Sequence, residues 1–204
     1  MLIDKLKKYR VFLASGSPRR HKLLEKMGIV FEYLPLEVDE KYPQHLTPVE
    51  VAEYLSQLKL SPVIQENYPD NAIFIACDTI VVVENKMIGK PKNEEDAKSI
   101  LRQLSGREHT VITGVTVMMS SQKMTSHQAT KVKFKMLSEE EIEYYIGKYK
   151  PFDKAGAYGI QEWIGYVGIE YVEGSFYNIV GLPTQLLWEM LEQIITIHFA
   201  HHSS

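Results

Sequence analysis

Cysteine is almost absent from this chain, and Cys77 is the single example among 204 residues. One thiol excludes an internal disulfide framework and any zinc site built on paired cysteines. Long hydrophobic runs are also missing, since stretches such as 73–76, 80–83 and 115–119 are far shorter than the roughly 20 residues that span a bilayer. The N-terminus lacks an apolar signal core of useful length. We therefore expect a cytoplasmic protein with no membrane partner.

A strong bias of charge is lacking as well. The formal net charge is −3 at pH 7, whereas binding to nucleic acid usually needs a basic face, so we expect no stable nucleic-acid complex. Hydrophobic residues make up 45% of the chain and charged residues 24%, which excludes the disordered and fibrous classes. The length suffices for one substantial core, in one domain or in two closely packed lobes. An anionic ligand would have to be bound by locally placed basic residues.

Helix and strand signals alternate along the chain, without an internal repeat or a linker. Capping boxes at 47–50 and 138–141, together with Asn93, predict the starts of three helices. Apolar segments at 72–76 and 79–83 lack clean alternation, which is typical of a central strand buried on both faces. The other predicted elements are an antiparallel pair at 109–119 and 130–136, a strand around 167–172 and a last helix over 183–199. This order predicts an α/β protein with a mixed β-sheet and flanking helices.

The segment 14–20 follows an apolar run and precedes an amphipathic one, which predicts a strand, a tight turn and a helix. Ser17 is a good N-cap, and the serines at 15 and 17 flank the turn. Arg19 and Arg20 fall in the first helical turn, where the positive end of the helix dipole favours anions and disfavours positively charged side chains. Two arginines at this end of a helix make sense if they bind a phosphate. The alternative is a solvated basic turn in which Ser15 and Ser17 serve only as caps.

Asp78 interrupts the most hydrophobic segment of the chain. Burying a bare carboxylate costs several kcal/mol, so this one must be ion-paired, hydrogen-bonded or used in catalysis. An acidic residue at a strand end of an α/β sheet often faces a ligand crevice, which favours a functional role for Asp78. The alternative is a structural ion pair. The neighbouring Cys77 points to the opposite face of the strand and is predicted to pack in the core.

Several other polar residues are candidates for ligand binding. Lys90 stands between a glycine and a proline that restrict its backbone, so its ammonium could reach a phosphate. Lys59, taken alone, resembles a solvated surface lysine at the end of its helix, and Asp39 with Glu40 could hold a metal or simply face solvent. The loop 153–161 is rich in glycine and alanine, which permits close approach to a flat ligand, and it ends on Gln161. The amide of Gln161 offers both a donor and an acceptor, as needed to read a pyrimidine edge.

Six sets of residues, spread in order over nearly the whole chain, together resemble one known family. They are SGSPRR at 15–20, CDT at 77–79, GKP at 89–91, LSGREH at 104–109, DKAGAYGIQ at 153–161, and EGS at 173–175 with GLP at 181–183. This ordered set is similar to the Maf family of nucleoside triphosphate pyrophosphatases. The run at 153–161 resembles the branch that acts on dTTP and UTP, whereas the 7-methyl-GTP branch differs there. Glu162 stands where a glycine commonly follows the glutamine.

The resemblance implies a single Maf-like domain over residues 1–204, related to the inosine triphosphate pyrophosphatase fold, with two lobes around a cleft. It also implies hydrolysis of a nucleoside triphosphate to monophosphate and pyrophosphate with a divalent cation, Mg²⁺ or Mn²⁺, and a homodimer. Asp78 matches the proposed general base of the family. Arg19, Thr79 and Gln161 match positions that the family uses in base selection. Lys59, Lys90 and Asp39 match other positions of the cleft. We add Ser15, Ser17 and Arg20 as substrate-binding candidates.

The sequence leaves the role of Asp78 open between two chemistries. Its carboxylate either takes the proton of the attacking water or holds the metal that activates that water. Other functions also compete with this one, namely a non-catalytic nucleotide-binding regulator of cell division, a triphosphatase that releases orthophosphate, and a nucleotidyltransferase. Product analysis with dTTP separates them.

Overall fold

The computed structural model describes residues 1–65 and 68–202. Its α-helices alternate with the strands of one sheet, and two short 3₁₀ helices lie at Ser61–Gln65 and Ala155–Ala157. The helices are α1 Leu2–Leu6, α2 Pro18–Lys26, α3 Pro48–Leu58, α4 Glu94–Leu104, α5 Glu139–Tyr149, α6 Trp163–Gly168, α7 Phe176–Val180 and α8 Thr184–His202. No helix in these described ranges is both long and apolar enough to cross a membrane.

The sheet has seven strands and is mixed, as the sequence predicts. The strands are β1 Arg10–Leu13, β2 Glu32–Tyr33, β3 Ala72–Val83, β4 Lys86–Ile88, β5 Glu108–Met119, β6 Gln122–Phe134 and β7 Ile169–Glu173. Their order is β2-β1-β3-β5-β6-β7, and β4 pairs with β3. β1 runs parallel to β2 and β3, whereas the β3–β4 and β6–β7 pairs are antiparallel. The fold is therefore α/β with a central β3, in agreement with the prediction.

Local signals place the helix starts correctly. Thr47 and Glu50 form both hydrogen bonds of a capping box at the start of α3, and Ser138 and Glu141 do the same for α5. The side chain of Asn93 caps α4 by accepting from the backbone N–H of Asp96. These bonds join residues three apart in sequence, so they form wherever the backbone turns into a helix and need no tertiary contact.

The strand predicted around 167–172 is present but begins two residues later than expected. Residues up to Gly168 belong to α6, and the strand β7 begins only at Ile169. A Cβ atom at Gly165 would lie 1.8 Å from the carbonyl oxygen of Ile160, so this glycine lets the first turn of α6 pack tightly on the preceding loop. The short apolar run 167–172 carries no period that separates the end of a helix from the start of a strand.

The chain divides into two units. The first comprises the described residues of Met1–Asp78, Thr113–Gln128 and Gly181–Ser204, and the second comprises Thr79–Ile112 and Ala129–Val180. The expectation that both units form a single domain over residues 1–204 stays a prediction.

The core of the first unit is built on the parallel strands β1 and β3. Phe12 and Phe74 stack with their ring centroids 5.1 Å apart, and Tyr68 packs edge-on to Phe74 at 4.7 Å. Leu187 and Ile194 of α8 are fully buried. Phe12 and Phe74 are partners in the β1–β3 register, so one cross-strand pair both fixes that register and fills the core.

The second unit packs α4 against α5, with aromatic rings on the sheet. Leu101 and Ile142 are buried to at least 99% on these two helices. Phe134 and Tyr158 lie edge to face at 4.9 Å, and His109 completes the group as an edge-to-face neighbour of both rings. These contacts connect the loop 153–161 to the strands β5 and β6.

Candidate functional site

The sequence predicts Asp78 at a strand end. In the structure it lies in the middle of β3. β1 pairs only with residues 72–75 of this strand, and β4 pairs with residues 81–83. Asp78 therefore lies between the residues of β3 that pair with β1 and those that pair with β4. Only 8% of the residue is exposed, so its carboxylate is largely shielded from water.

The partner of this carboxylate is Lys59, at the end of α3. The ammonium of Lys59 donates a short hydrogen bond to Oδ1 of Asp78, and its Nζ atom also lies 3.5 Å from the carbonyl oxygen of Cys77. The side chains of Lys59 and Asp78 are 16% and 12% exposed. Lys59 is therefore not the solvated surface lysine that its position alone indicates.

A close helix–strand contact brings Lys59 to this place. A Cβ atom at Gly114 of β5 would lie 2.2 Å from the carbonyl oxygen of Ala52 in α3. Any side chain there would force α3 away from the sheet. Farther along α3, Ser56 shares a hydrogen bond with Thr116 of β5 at 2.8 Å. The glycine and the hydroxyl pair hold the helix against β5, and with it the residue that ends the helix.

Glu40, which the sequence offered only as one of a pair with Asp39, contacts Lys59 in the structure. Its Oε1 lies 3.1 Å from the Nζ of Lys59, so one ammonium contacts two carboxylates. The neighbouring Asp39, which the resemblance indicates, pairs instead with Lys41 at 2.5 Å and is largely exposed. The tandem acids were visible in the sequence, but both lie in an irregular segment without periodicity. Only the folded loop selects which of them faces Lys59.

This group of Asp78, Glu40 and Lys59, here called the acidic cluster, suits a hard cation only in part. Mg²⁺ prefers oxygen ligands and is usually held by one or two carboxylates together with substrate phosphates and water. Within the described ranges, no group of three or more His, Cys, Asp or Glu side chains is arranged to hold a metal. The two carboxylates of the cluster could therefore supply only part of the ligands of such a cation.

The loop before α2 is ordered by the side chains expected to bind phosphate. Oγ of Ser15 accepts from the backbone N–H of Ser17 at 3.3 Å and from Arg20 at 3.0 Å. Nε of Arg20 donates to the carbonyl oxygen of Gly181 at 2.7 Å, and the residue is 9% exposed. Ser17 occupies the N-cap position, but in the described structure its side chain makes no capping hydrogen bond, contrary to expectation.

Arg19 and Arg20 are adjacent in sequence but differ in surroundings. Arg20 is buried and joins the loop to Gly181, whereas Arg19 is only partly buried in the same first turn. A guanidinium committed to a backbone carbonyl and a serine orders the loop. The more accessible Arg19 is the better candidate for a direct contact with phosphate.

In the second unit, two predicted segments are joined directly. Lys90 is exposed, and the carbonyl oxygen of the preceding Gly89 accepts from the backbone N–H of Gly156 at 3.1 Å. Gly156 has φ +74°, and a Cβ there would lie 3.0 Å from Val81 of β3. The loop 153–161 therefore lies against the strand that also carries the partly buried Thr79.

Gln161 ends this loop with a buried carbonyl. Its Oε1 atom is buried, and none of the described residues donates a hydrogen bond to it. A buried acceptor without a partner costs about 1–3 kcal/mol. A ligand that presents an N–H group at this position would recover that free energy.

Two further buried groups of the candidate regions are kept neutral. Cys77 is fully buried, and burial raises the pKa of its thiol to about 11, so it packs as a small apolar residue, as predicted. Burial also lowers the pKa of His109 to about 4. Nε2 of this ring lies 2.8 Å from the hydroxyl of Tyr158, which connects β5 to the loop 153–161.

Comparison with known proteins gives a consistent result. The family model described as Maf-like protein matches residues 10–194. A Flavobacterium johnsoniae protein named dTTP/UTP pyrophosphatase is 45% identical over 195 residues, covering 96% of this chain and all of the relative. A Cytophaga hutchinsonii protein of the same name is 47% identical over 194 residues, covering 95% of this chain and 88% of the relative. A Bacteroides thetaiotaomicron protein, also so named, is 45% identical and covered completely.

The match runs from the first strand of the sheet into α8, so it spans all the candidate residues described above. Near-complete coverage at this identity extends to both units of the structure, and the resemblance seen in the six motifs is confirmed. The chain belongs to the Maf family.

Proposed function

We propose that this protein hydrolyses dTTP and UTP to the nucleoside monophosphate and pyrophosphate. The observation that carries the proposal is Asp78, a largely buried carboxylate oriented by Lys59 in the middle of a central strand. The three relatives described above, each matching 95% or more of this chain, carry the name dTTP/UTP pyrophosphatase, which supports the same activity here.

The proposed reaction is attack of water on the α-phosphorus. A bond forms between the water oxygen and the α-phosphorus, and the bond to the oxygen that bridges the α- and β-phosphates breaks. The electron pair of that bond leaves with pyrophosphate. Oδ1 of Asp78 accepts from Lys59, and we assign Oδ2 as the atom that takes the proton of the water. Lys59 holds the carboxylate in one orientation for this step.

Basic side chains bind the phosphates in this proposal. Arg19 contacts them directly, Arg20 and Ser15 hold the loop that presents it, and Lys90 adds a second ammonium. Fixed positive groups stabilise a charged transition state without reorganisation during the reaction. A divalent cation, when bound with the substrate, neutralises charge on the leaving pyrophosphate. Glu40 is the residue of the acidic cluster that would hold it, together with the substrate phosphates.

Base selection is assigned to the second unit. Thymine and uracil present an N–H donor at N3, whereas cytosine presents an acceptor there. The buried Oε1 of Gln161 has an unmet need for a donor within the described structure, so it suits the first two bases. A site that leaves a buried polar group unpaired with the wrong base discriminates strongly.

We also propose that the protein acts as a cytoplasmic homodimer.

One assay tests this function. Purified protein is incubated with dTTP and Mg²⁺, and dTMP, pyrophosphate and orthophosphate are measured separately, with Asp78→Asn from the same purification as a control for contaminating phosphatases. We expect equal amounts of dTMP and pyrophosphate, similar turnover of UTP, and slower turnover of CTP and purine triphosphates. Orthophosphate as the first product would indicate a triphosphatase, and binding without turnover a regulator. Preference for 7-methyl-GTP would place the chain in the other branch.

A further inference from the structure

Glu162, directly after Gln161, is used in an unexpected way. It occupies the N-cap position of α6, where a Ser, Thr, Asp or Asn side chain commonly accepts a hydrogen bond from a backbone N–H of the first turn. Within the described structure this side chain makes no capping bond. Its carboxylate instead contacts two buried side chains, Tyr145 and Lys154. The carboxylate of Glu162 therefore stabilises the loop before it and does not cap the helix after it.

The first contact joins Glu162 to the backbone of the loop. The hydroxyl of Tyr145, a fully buried residue of α5, donates a short hydrogen bond to Oε2 of Glu162. The same hydroxyl oxygen accepts from the backbone N–H of Gly159 at 3.0 Å. The carboxylate also fills the space beside this glycine, since a Cβ at Gly159 would lie 2.9 Å from the Glu162 carboxyl carbon and 3.0 Å from Nε2 of Gln161.

The second contact fixes the other end of the loop. Lys154 is 8% exposed, and its Nζ lies 3.2 Å from Oε1 of Glu162 and 2.7 Å from Oδ1 of Asp153. A buried ammonium is strongly unfavourable unless it is paired. The loop therefore keeps the conformation in which Lys154 and Gly159 both connect to Glu162. Gln161 lies between Gly159 and Glu162, so the same contacts limit where its amide can lie.

We propose that Glu162 is a positioning residue for base selection, holding the loop 153–161 so that the amide of Gln161 faces the base in one orientation. The inference rests on the proposed function for the identity of the ligand. It assigns Glu162 no contact with the substrate: the carboxylate acts through Tyr145, Lys154 and the backbone of Gly159. Its expected signature is a change in the preference between bases, and not only a general loss of rate.

The test compares Glu162→Ala, Glu162→Gln and the control Glu139→Ala. Glu139 also lies in the second unit, and its carboxylate pairs with Arg102 at 2.7 Å on the exposed side of α5, so the control removes an ion-paired carboxylate away from the loop. Binding of non-hydrolysable dTTP and CTP analogues is measured by titration calorimetry. Pyrophosphate release and thermal unfolding are recorded on the same preparations.

We expect Glu162→Ala to reduce the ratio of CTP-analogue to dTTP-analogue dissociation constants about tenfold. Glu162→Gln keeps an acceptor for Tyr145 but loses the charge opposite Lys154, and we expect a reduction of about threefold. Glu139→Ala should leave the ratio unchanged. An unchanged ratio in folded Glu162→Gln overturns the inference even if the alanine variant does not fold, and so does equal binding of both analogues by the unaltered protein. Preferential binding of the dTTP analogue without pyrophosphate release would refute the proposed hydrolysis alone, while the ratios still decide the role of Glu162.

Discussion

In the first unit one lysine contacts two carboxylates, whereas in the second unit Gln161, the side chain proposed to select the base, is neutral. In the acidic cluster, Lys59 contacts both Asp78 and Glu40. In the loop 153–161, Gln161 has a buried oxygen that accepts no hydrogen bond from the described residues, and the charges of Lys154 and Glu162 are satisfied by each other and by Asp153 and Tyr145.

This difference follows the chemistry that each region is proposed to serve. Phosphoryl transfer needs fixed charges near the reacting phosphorus, since transition-state charge is spread over several oxygens. Discrimination between similar bases needs instead a neutral group whose hydrogen bond is satisfied by one base and left unmet by another. Substitutions in the acidic cluster should therefore change the rate for every nucleotide, and substitutions in the loop should change the ratio between nucleotides.

Asp78→Asn should produce the largest effect. The amide can still accept a hydrogen bond from Lys59, but it cannot take a proton, so turnover of dTTP and UTP should fall together by at least about 10²-fold. Binding of a non-hydrolysable dTTP analogue should survive. Because Lys59 keeps Glu40 as a partner, the melting temperature should fall only slightly. The control is Asp4→Asn, which removes an exposed carboxylate hydrogen-bonded to Lys7. A destabilised Asp78 variant that turns over dTTP at nearly the parent rate would contradict the catalytic role.

Two substitutions in the first turn of α2, Arg19→Ala and Arg20→Ala, distinguish a side chain that binds phosphate from one that holds the loop in place. A hydrogen bond to a charged group contributes about 1.5–3 kcal/mol, so Arg19→Ala should lower kcat/KM roughly 10- to 100-fold with little change in melting temperature. Arg20→Ala removes the bonds to Ser15 and Gly181 and should lower the melting temperature clearly. The measurements are steady-state kinetics and thermal unfolding. The reverse pattern, with Arg19 the more important for stability, would exchange the two roles.

Gln161→Ala should act on the ratio between bases. Removing the amide deletes the acceptor that the N3–H group satisfies, and we expect the dTTP-to-CTP ratio of kcat/KM to fall about tenfold while the CTP value changes little. Competition between the two nucleotides in one reaction measures this ratio directly. If the ratio holds and all rates fall equally, Gln161 contributes to general binding and the contrast between the two regions fails.

His109→Gln should produce the smallest effect, confined to stability in acid. The unfolded ring titrates near 6.5 and the folded one near a pKa of about 4, so the unfolded state binds more protons between these values. The contribution of His109 to the free energy of unfolding is therefore fully present above about pH 6.5. It is lost as the pH drops toward 4, and the loss is at most roughly 3 kcal/mol. Glutamine keeps a polar contact to Tyr158 but does not titrate. Denaturant unfolding at pH 7 and pH 4.5 should therefore show a smaller loss in the variant than in the parent.

The sequence alone determined the features that depend on neighbouring residues. The starts of α3, α4 and α5 follow from caps that join residues three apart, and β3 follows from an apolar segment long enough to be central. The six sets of motifs identified the family because each consists of one or two short contiguous runs. The boundary between α6 and β7 was missed because residues 167–172 are apolar without a distinguishing period.

Only the tertiary structure decided which side chains meet. Lys59 and Asp78 are 19 residues apart, and their contact depends on α3 packing closely over Gly114, a constraint that no local pattern reveals. In the folded structure Glu40, and not Asp39, contacts the ammonium. Glu162 looked like a simple departure from a motif until the fold placed Tyr145 and Lys154 against it. Hydrogen bonds within a helical turn form locally, but a buried charge finds its partner only when distant segments pack together and exclude water.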